Sequence, residues 1–364
     1  MSEEFYARYS QDGKRKQFLK EHLKVVSCIA MNNAEKIGLA DFGKYLGLLH
    51  DLGKYQNAFQ KYLANGGKRG SVHHAPVGAI HIFEKIKELN IKKDRNLTFL
   101  AEVLALCITS HHTNLIDMLD ISGSNKFEKR ITKQDDINLK EAIDNVDLEI
   151  KTELKNIDFK ILSKELKTII DKISQEQKTI PKHFYLGMLA KYLLSCLIDA
   201  DHTDSANFEL QAKADLRQDN QYISWEMISK QLEKSLQELN VNNKSADNVK
   251  NVRKQISDNC LNAGRTFAKG CYKLEVPTGG GKTLASFRFA VEMAKQHKAD
   301  RIIYAIPYTT IIEQNAETIR KIVEIDETYK GKIVLEHHSN LSHKNKTEEE
   351  IDLNEMYLKI GMLQ

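Results

Sequence analysis

Apolar residues recur at helical spacing from Lys16 to Ala34, where Leu19, Leu23, Val26 and Ile29/Ala30 form one stripe. His22 lies beside that stripe, at a position open to a helix-surface reading or to a site reading. A second helix runs through Leu46, Leu48 and Leu49 into His50 and Asp51, with Gly53 as its expected end. Gly47 lies inside it at a cost of roughly 1 kcal/mol relative to Ala, which close packing against a neighbouring helix would explain. A third helix begins at Tyr55, with Phe59 and Leu63 facing inward, and the turn NGGKRG follows at 65–70. His73 and His74 precede a helix favoured by Pro76, and a strongly apolar helix from Leu100 to Ile108 runs into His111 and His112. Residues 125–180 are highly charged with sparse apolar positions, the pattern of a solvated helical insertion. From His183 to Asp204 the stripe Leu186, Leu189, Leu193, Leu197 continues to Asp201, whereas Asp199 falls on the face of Tyr192 and Ser195.

Beyond Phe208 the chain turns polar through about residue 250, which reads as a connector. A different pattern then begins. A helix from Asn251 to Phe267 leads to a strand at Tyr272–Val276, the loop PTGGGKT at 277–283, and a helix from Leu284 to Gln296. Further strands are expected at Arg301–Ile306 and Lys332–Leu335, the alternation of a parallel sheet. Strand, glycine loop and helix in that order form a phosphate-binding loop. Backbone N–H groups around Thr278, Gly279, Gly280 and Gly281 would approach phosphate oxygens, Lys282 would reach the β and γ phosphates, and the Thr283 hydroxyl would ligate magnesium. Val276 stands where the strict pattern has glycine, as in the xPTGxGKT form of helicase-like ATPases.

Composition narrows the picture little. At 364 residues two domains are expected, and a net charge of +4 with 29% charged residues leaves any nucleic-acid contact to local basic surface. Five scattered cysteines without a CxxC pair, no signal core and no apolar run of membrane-spanning length predict a cytoplasmic protein without membrane contact. The chemistry is concentrated in histidines and aspartates. Asp51 at the end of a buried helix needs a partner, which Lys54 or a cation could supply. Asp201 on an apolar stripe needs one too. Adjacent His111 and His112 point apart on a helix, so they would share one ion only where the backbone leaves helical geometry.

In order along the chain, HLKVVSCIA, LLHDLGKYQNAFQKYL, HHAPVGA, SHHTNL, LLSCLIDADHTDS, VPTGGGKTLASFRFA, IIYAIPYTTIIEQNA and VLEHHSNL resemble the CRISPR-associated HD nuclease-helicase of type I interference systems. The resemblance implies an all-α HD-type nuclease domain over 1–210, a linker over 211–250, and an incomplete α/β RecA-like helicase lobe over 251–364. It implies metal ligands at His22, His50, Asp51, His74, His111, His112 and Asp201, with Lys54 beside the metal-bound phosphate. His74 rather than His73 satisfies the HxxxGA spacing to Gly78 and Ala79.

Imidazoles mixed with carboxylates suit two divalent ions, manganese, nickel, cobalt, iron or zinc rather than magnesium, about 3.5–4 Å apart with Asp51 as bridge. ATP and magnesium would serve the helicase lobe. The implied partners are single-stranded DNA, the guide-RNA surveillance complex, and the remainder of the helicase, because the chain ends without the family's Asp-Glu-Ala/Cys-His motif and is expected to be a fragment, a truncated product or half of a split protein. Two rival readings are an HD phosphohydrolase acting on nucleotides and an inactive ATP-binding or docking remnant.

Overall fold

Close approaches at glycine set the geometry of the first half of the chain in the computed structural model. It describes residues 4–10, 12–66, 72–88, 95–113, 115–118, 122–132, 137–176, 181–209, 223–242, 246–325, 330 and 333–336. Most of the turn at 65–70, the start of the strand expected from Lys332, the HHSNL stretch and everything after it lie outside those residues. The chain divides into two units, Met1–Gln218 with Ile360–Gln364, and Asp219–Lys359.

In the first unit, helix α1 (Leu19–Glu35) crosses helix α2 (Ala40–Leu49) at Gly47, where a Cβ would lie 2.4 Å from the Ser27 Cα. Close packing does account for that glycine. Helix α2 ends at Leu49, not at Gly53, and a 3-10 turn, Leu52–Tyr55, follows. His50 and Asp51 thus sit on the bend between the two, and Leu46, Leu49 and Leu52 are buried around them.

The unit continues with α3 (Asn57–Asn65), α4 (Pro76–Glu88), α5 (Arg95–Ser110), α6 (Lys126–Thr132), α7 (Leu139–Asn145), α8 (Leu148–Lys155), α9 (Phe159–Glu176) and the long α10 (Lys182–Glu209). One core joins α1, α2, α4, α5 and α10 through side chains such as Leu23, Leu46, Ile82, Leu104 and Leu197, all fully buried.

Three sequence expectations change here. The unit is not all-α, because β1 (Tyr6–Tyr9) pairs antiparallel with β2 (Lys16–Phe18) and shortens the first expected helix by three residues. Phe5 and Ala7 turn into the core, the period of two that marks a strand. His22, for which the sequence leaves both a helix-surface reading and a site reading open, is fully buried, which favours the site reading.

Residues 125–180 are not a solvated arm either. Phe127, Ala142, Ile150, Leu154, Leu162 and Leu166 belong to the core. Their stripe is one residue wide per turn, so the charged majority masks it in composition while the spacing still buries it. This segment also braces the helix that leads to the site: the Glu165 carboxylate accepts the Asp41 and Phe42 backbone N–H groups at 3.1 Å each, satisfying donors at the α2 N-terminus. The Tyr55 hydroxyl donates to Asp147 at 2.7 Å.

His81 on α4 is buried with no partner for Nε2 among the described residues, and burial, with Lys85 adding to it, pushes its imidazole down to about 4. Its unfolded value is about 6.5, so the folded form binds fewer protons, and stability is lost as pH falls from 6.5 towards 4. His81→Leu should therefore remove roughly 2 kcal/mol of the stability that wild type loses between pH 7 and 4.5. Urea midpoints at the two pH values measure it; equal losses in both chains would refute the assignment.

In the second unit, α11 (Trp225–Asn242), α12 (Asp247–Thr266), α13 (Lys282–His297) and α14 (Thr309–Val323) pack together. Helix α11 falls within the stretch expected to be a linker. Ile228 and Leu232 bury against Phe287, Val291, Ile319 and Val323, and Trp225 donates to the Ala299 carbonyl at 2.6 Å. The Arg288 guanidinium pairs with Glu233 at 2.6 Å and Asp258 at 2.8 Å, tying α13 to α11 and α12. A polar composition hid an amphipathic face.

The expected parallel sheet does not form among the described residues. Residues 271–277 and 301–306 have no regular pairing, and Tyr272, Leu274, Ile303 and Tyr304 remain exposed. A strand becomes stable only when a neighbour completes its ladder and covers its apolar face, and no paired neighbour lies beside these segments among the described residues.

Candidate metal centre and phosphate loop

Asp51 is the hinge of the first unit's site. It is fully buried, and its two oxygens face different groups. Oδ1 lies 3.5 Å from His74 Nε2 and 3.5 Å from His111 Nε2. Oδ2 lies 3.3 Å from His22 Nε2, 3.3 Å from His50 Nε2 and 2.6 Å from the Lys54 ammonium. Asp51, His74, His111 and His112 form one set of side chains able to hold an ion, and His22, His50 and Asp201 form a second. All seven residues marked in the sequence come together, from α1, the α2 bend, the segment before α4, the turn after α5, and α10.

Local structure explains the aim of each ring. The α5 helix stops at Ser110, so His111 and His112 sit in a turn, where adjacent side chains can converge. His111 Nδ1 donates to the Ile108 carbonyl at 2.6 Å, and His50 Nδ1 donates to the Gly47 carbonyl at 2.8 Å. Each ring is thereby fixed with Nε2 and its lone pair turned to the site. His74 Nε2 and His112 Nε2 lie 2.7 Å apart. His112 is solvent-exposed and His74 partly so, while His22, His50 and Asp51 have no exposure, so the site opens on the His112 side.

The electrostatics favour cation binding. Burial pushes the His74 imidazole down to about 3, and desolvation of the inward side of the His112 ring, with His111 beside it, pushes that one down to about 4 although its outer edge is exposed, which leaves both neutral at neutral pH. Burial pushes the Asp51 carboxyl up, but the Lys54 ammonium and the surrounding histidines outweigh it and hold the carboxyl well below the usual range. Asp201 behaves likewise: burial raises it, and His50 and His22 more than compensate. Among the described residues, two buried polar atoms of the site, Asp51 Oδ1 and His111 Nε2, have no hydrogen-bond partner. An acceptor and a lone-pair nitrogen left unsatisfied 3.5 Å apart fit a shared cation. Lys54 is the partner that Asp51 requires, and its ammonium also reaches the Ala7 carbonyl at 3.4 Å.

Asp199 is not part of this constellation; it is buried and accepts from the Asn33 amide at 2.8 Å. The prediction is that Asp201→Asn loses one bound ion whereas Asp199→Asn retains wild-type metal content, read by elemental analysis after dialysis. Metal loss confined to Asp199→Asn would reverse the assignment.

Two residues at the site escaped the sequence reading. Arg8 on β1 places Nη2 3.2 Å from Asp201 Oδ1 and 3.4 Å from His22 Nε2, and it also bonds the Ser205 hydroxyl. A guanidinium thus lies where the second group would bring a cation. Asp204 on α10 approaches His22 Nδ1 at 2.6 Å. Asp204 had a signal, three residues after Asp201 on the same helix face; Arg8 had none.

In the second unit the glycine loop runs into the N-terminus of α13, which begins at Lys282. Gly279 and Gly281 have φ of +81° and +80°, a region that favours glycine, so the loop curls around its own N–H groups. Arg253 donates to the Gly279 carbonyl at 2.8 Å, and Thr283 Oγ1 donates to Asn315 Oδ1 at 3.1 Å. Residues 238–358 match the family described as Type III restriction enzyme, res subunit. The chain carries a ResIII helicase-type domain. The match begins inside α11 and takes in the whole glycine loop. The helicase-type match suggests ATP and magnesium binding, for which the loop at 278–283 would supply the amides, lysine and hydroxyl. No curated protein matches the chain. Among the described residues no helix is long and apolar enough to cross a membrane.

Proposed function

We propose that the first unit is an HD-type metal-dependent phosphodiesterase that cleaves single-stranded DNA, joined to an ATP-dependent DNA helicase-type domain. On this reading the chain works in the cytoplasm in CRISPR antiviral defence, on DNA opened by a guide-RNA surveillance complex. The observation that carries the nuclease reading is the divided carboxylate of Asp51, one oxygen per histidine group. A carboxylate held between two sets of imidazoles is what a two-ion phosphodiester site requires. Bound there, a pair of manganese, iron, cobalt, nickel or zinc ions supplies an activated water and neutralises charge on the phosphate.

The side chains contribute the rest. His74, His111 and His112 with Asp51 would hold the ion nearer solvent, and His22, His50 and Asp201 the deeper one. Lys54 keeps Asp51 ionised. A phosphodiester strand would enter at the exposed edge of His112, and the fully buried Leu46, Leu49 and Leu52 back the bend that carries His50 and Asp51.

The test has two stages. Metal content of the purified chain comes first, then cleavage of single-stranded DNA and of nucleoside triphosphates with manganese or nickel and without ATP. Cleavage of DNA but not of nucleotides supports the proposal. Preference for nucleotides would make the unit a nucleotide phosphohydrolase, and a chain that binds no metal would leave an ATP-binding or docking role.

A further inference from the structure

His22 is held differently from the other inward-facing rings. His50 and His111 each donate Nδ1–H to a carbonyl three residues back in their own turn, contacts that form with the local backbone. His22 closes the first turn of α1, where the carbonyls of Phe18 and Leu19 behind it are taken up by the helix's own N–H groups. Its Nδ1 instead meets Asp204 Oδ2 at 2.6 Å, across to α10. The same oxygen accepts the Gln17 amide at 2.8 Å, and His22, Asp204 and Gln17 are 0%, 5% and 8% exposed.

A carboxylate has no proton to give at this contact, so His22 Nδ1 must carry it, and the lone pair is left on Nε2. Nε2 is the atom that faces His50, Asp51 and Asp201. One turn of α10 therefore addresses both ring nitrogens of His22: Asp204 on Nδ1, and Asp201 three residues earlier at 3.6 Å from Nε2.

We propose that Asp204 is a positioning residue that fixes the His22 tautomer and ring orientation, with Gln17 fixing Asp204 in turn, so that His22, His50 and Asp201 accept the second divalent ion. This rests on the two-ion reading above. A carboxylate behind an imidazole also makes the ring a stronger electron donor than a carbonyl would. The deeper group has only one carboxylate of its own beside its share of Asp51, so its affinity depends on that donation.

The experiment is a titration of metal-free protein with manganese alone, by calorimetry, on wild type, Asp204→Asn and Asp204→Glu. Selective ¹⁵N labelling of histidine would read the His22 tautomer in the same samples. Wild type should take two ions. Asp204→Asn should keep one site and weaken the other by about 10–100-fold, with His22 no longer held in one tautomer, and Asp204→Glu should recover part of the loss. Two wild-type affinities and an unchanged tautomer in Asp204→Asn would overturn the inference while leaving the two-ion reading intact; no manganese bound by wild type would overturn that reading itself. Should Asp204→Asn fail to fold, Gln17→Ala, which removes only the brace on Asp204, should weaken the same site to a lesser degree. Unchanged binding there would also overturn it.

Discussion

Asp51→Asn should bind manganese at neither group with wild-type affinity and should cleave single-stranded DNA at least about a thousandfold more slowly. An amide matches the carboxylate in shape but offers one oxygen and one NH₂. Whichever way it turns, either His74 and His111 or His22 and His50 face a donor where an acceptor stood. Several kcal/mol of transition-state stabilisation go with a lost ion, and about 1.4 kcal/mol corresponds to each factor of ten in rate. The substitution also leaves the Lys54 ammonium buried without its 2.6 Å partner, a loss of about 3 kcal/mol in stability. Helical content should nonetheless stay close to wild type, because α2 ends before Asp51 and keeps its own hydrogen bonds. Single-turnover cleavage, metal titration and circular dichroism on one preparation separate these effects. Cleavage within tenfold of wild type would remove Asp51 from the centre of the chemistry.

Gly78→Ala should destabilise the first unit by about 3 kcal/mol or more. Helix propensity alone argues the other way, since alanine is favoured over glycine by about 1 kcal/mol in a helix. Contact decides the sign. A Cβ at Gly78 would lie 2.0 Å from the Leu49 carbonyl oxygen and 2.8 Å from its carbon, and a backbone carbonyl cannot swing aside as a side-chain tip can. Leu49 immediately precedes His50, and Gly53 meets the His74 carbonyl equally closely, at 2.1 Å. Pushing α4 off α2 would therefore separate His74 from Asp51 as well as loosen the core. Gly187→Ala on α10 is the matched control: nothing lies within 4 Å of its Cβ, so that variant should gain up to about 1 kcal/mol. Chemical denaturation of both variants tests the pair, and equal or higher stability in Gly78→Ala would show that α4 can shift freely.

What the sequence revealed about this site followed from which residues carry their own signal. A histidine–aspartate pair after three leucines, paired histidines at helix ends, and an aspartate on a leucine stripe each violate the apolar pattern around them, and such violations are visible without a structure. His22 was visible only through resemblance, because beside a stripe it looks like a surface residue. Arg8 was invisible, since one arginine in a short charged N-terminal stretch violates nothing, and only the hairpin register aims it at Asp201. Composition misled in two places. Charge-rich helices at 125–180 and 225–242 bury narrow stripes that an average over the segment hides, while 271–276 and 301–306 have strand-like composition but no paired neighbour among the described residues.

The long reach of α10 gives the site a timetable. Residues 50 to 112 carry the whole group of Asp51, His74, His111 and His112, so a chain growing from its N-terminus has those ligands once its first third is made. The second group waits for Asp201, and the brace on His22 waits for Asp204, some 180 residues after His22 itself. Closing that span is the slow, non-local event of folding, and within residues 1–218 it comes late in synthesis. A ribosome-bound chain would thus hold one half of the centre and not the other, and a two-ion activity would switch on only after the unit has been completed and closed.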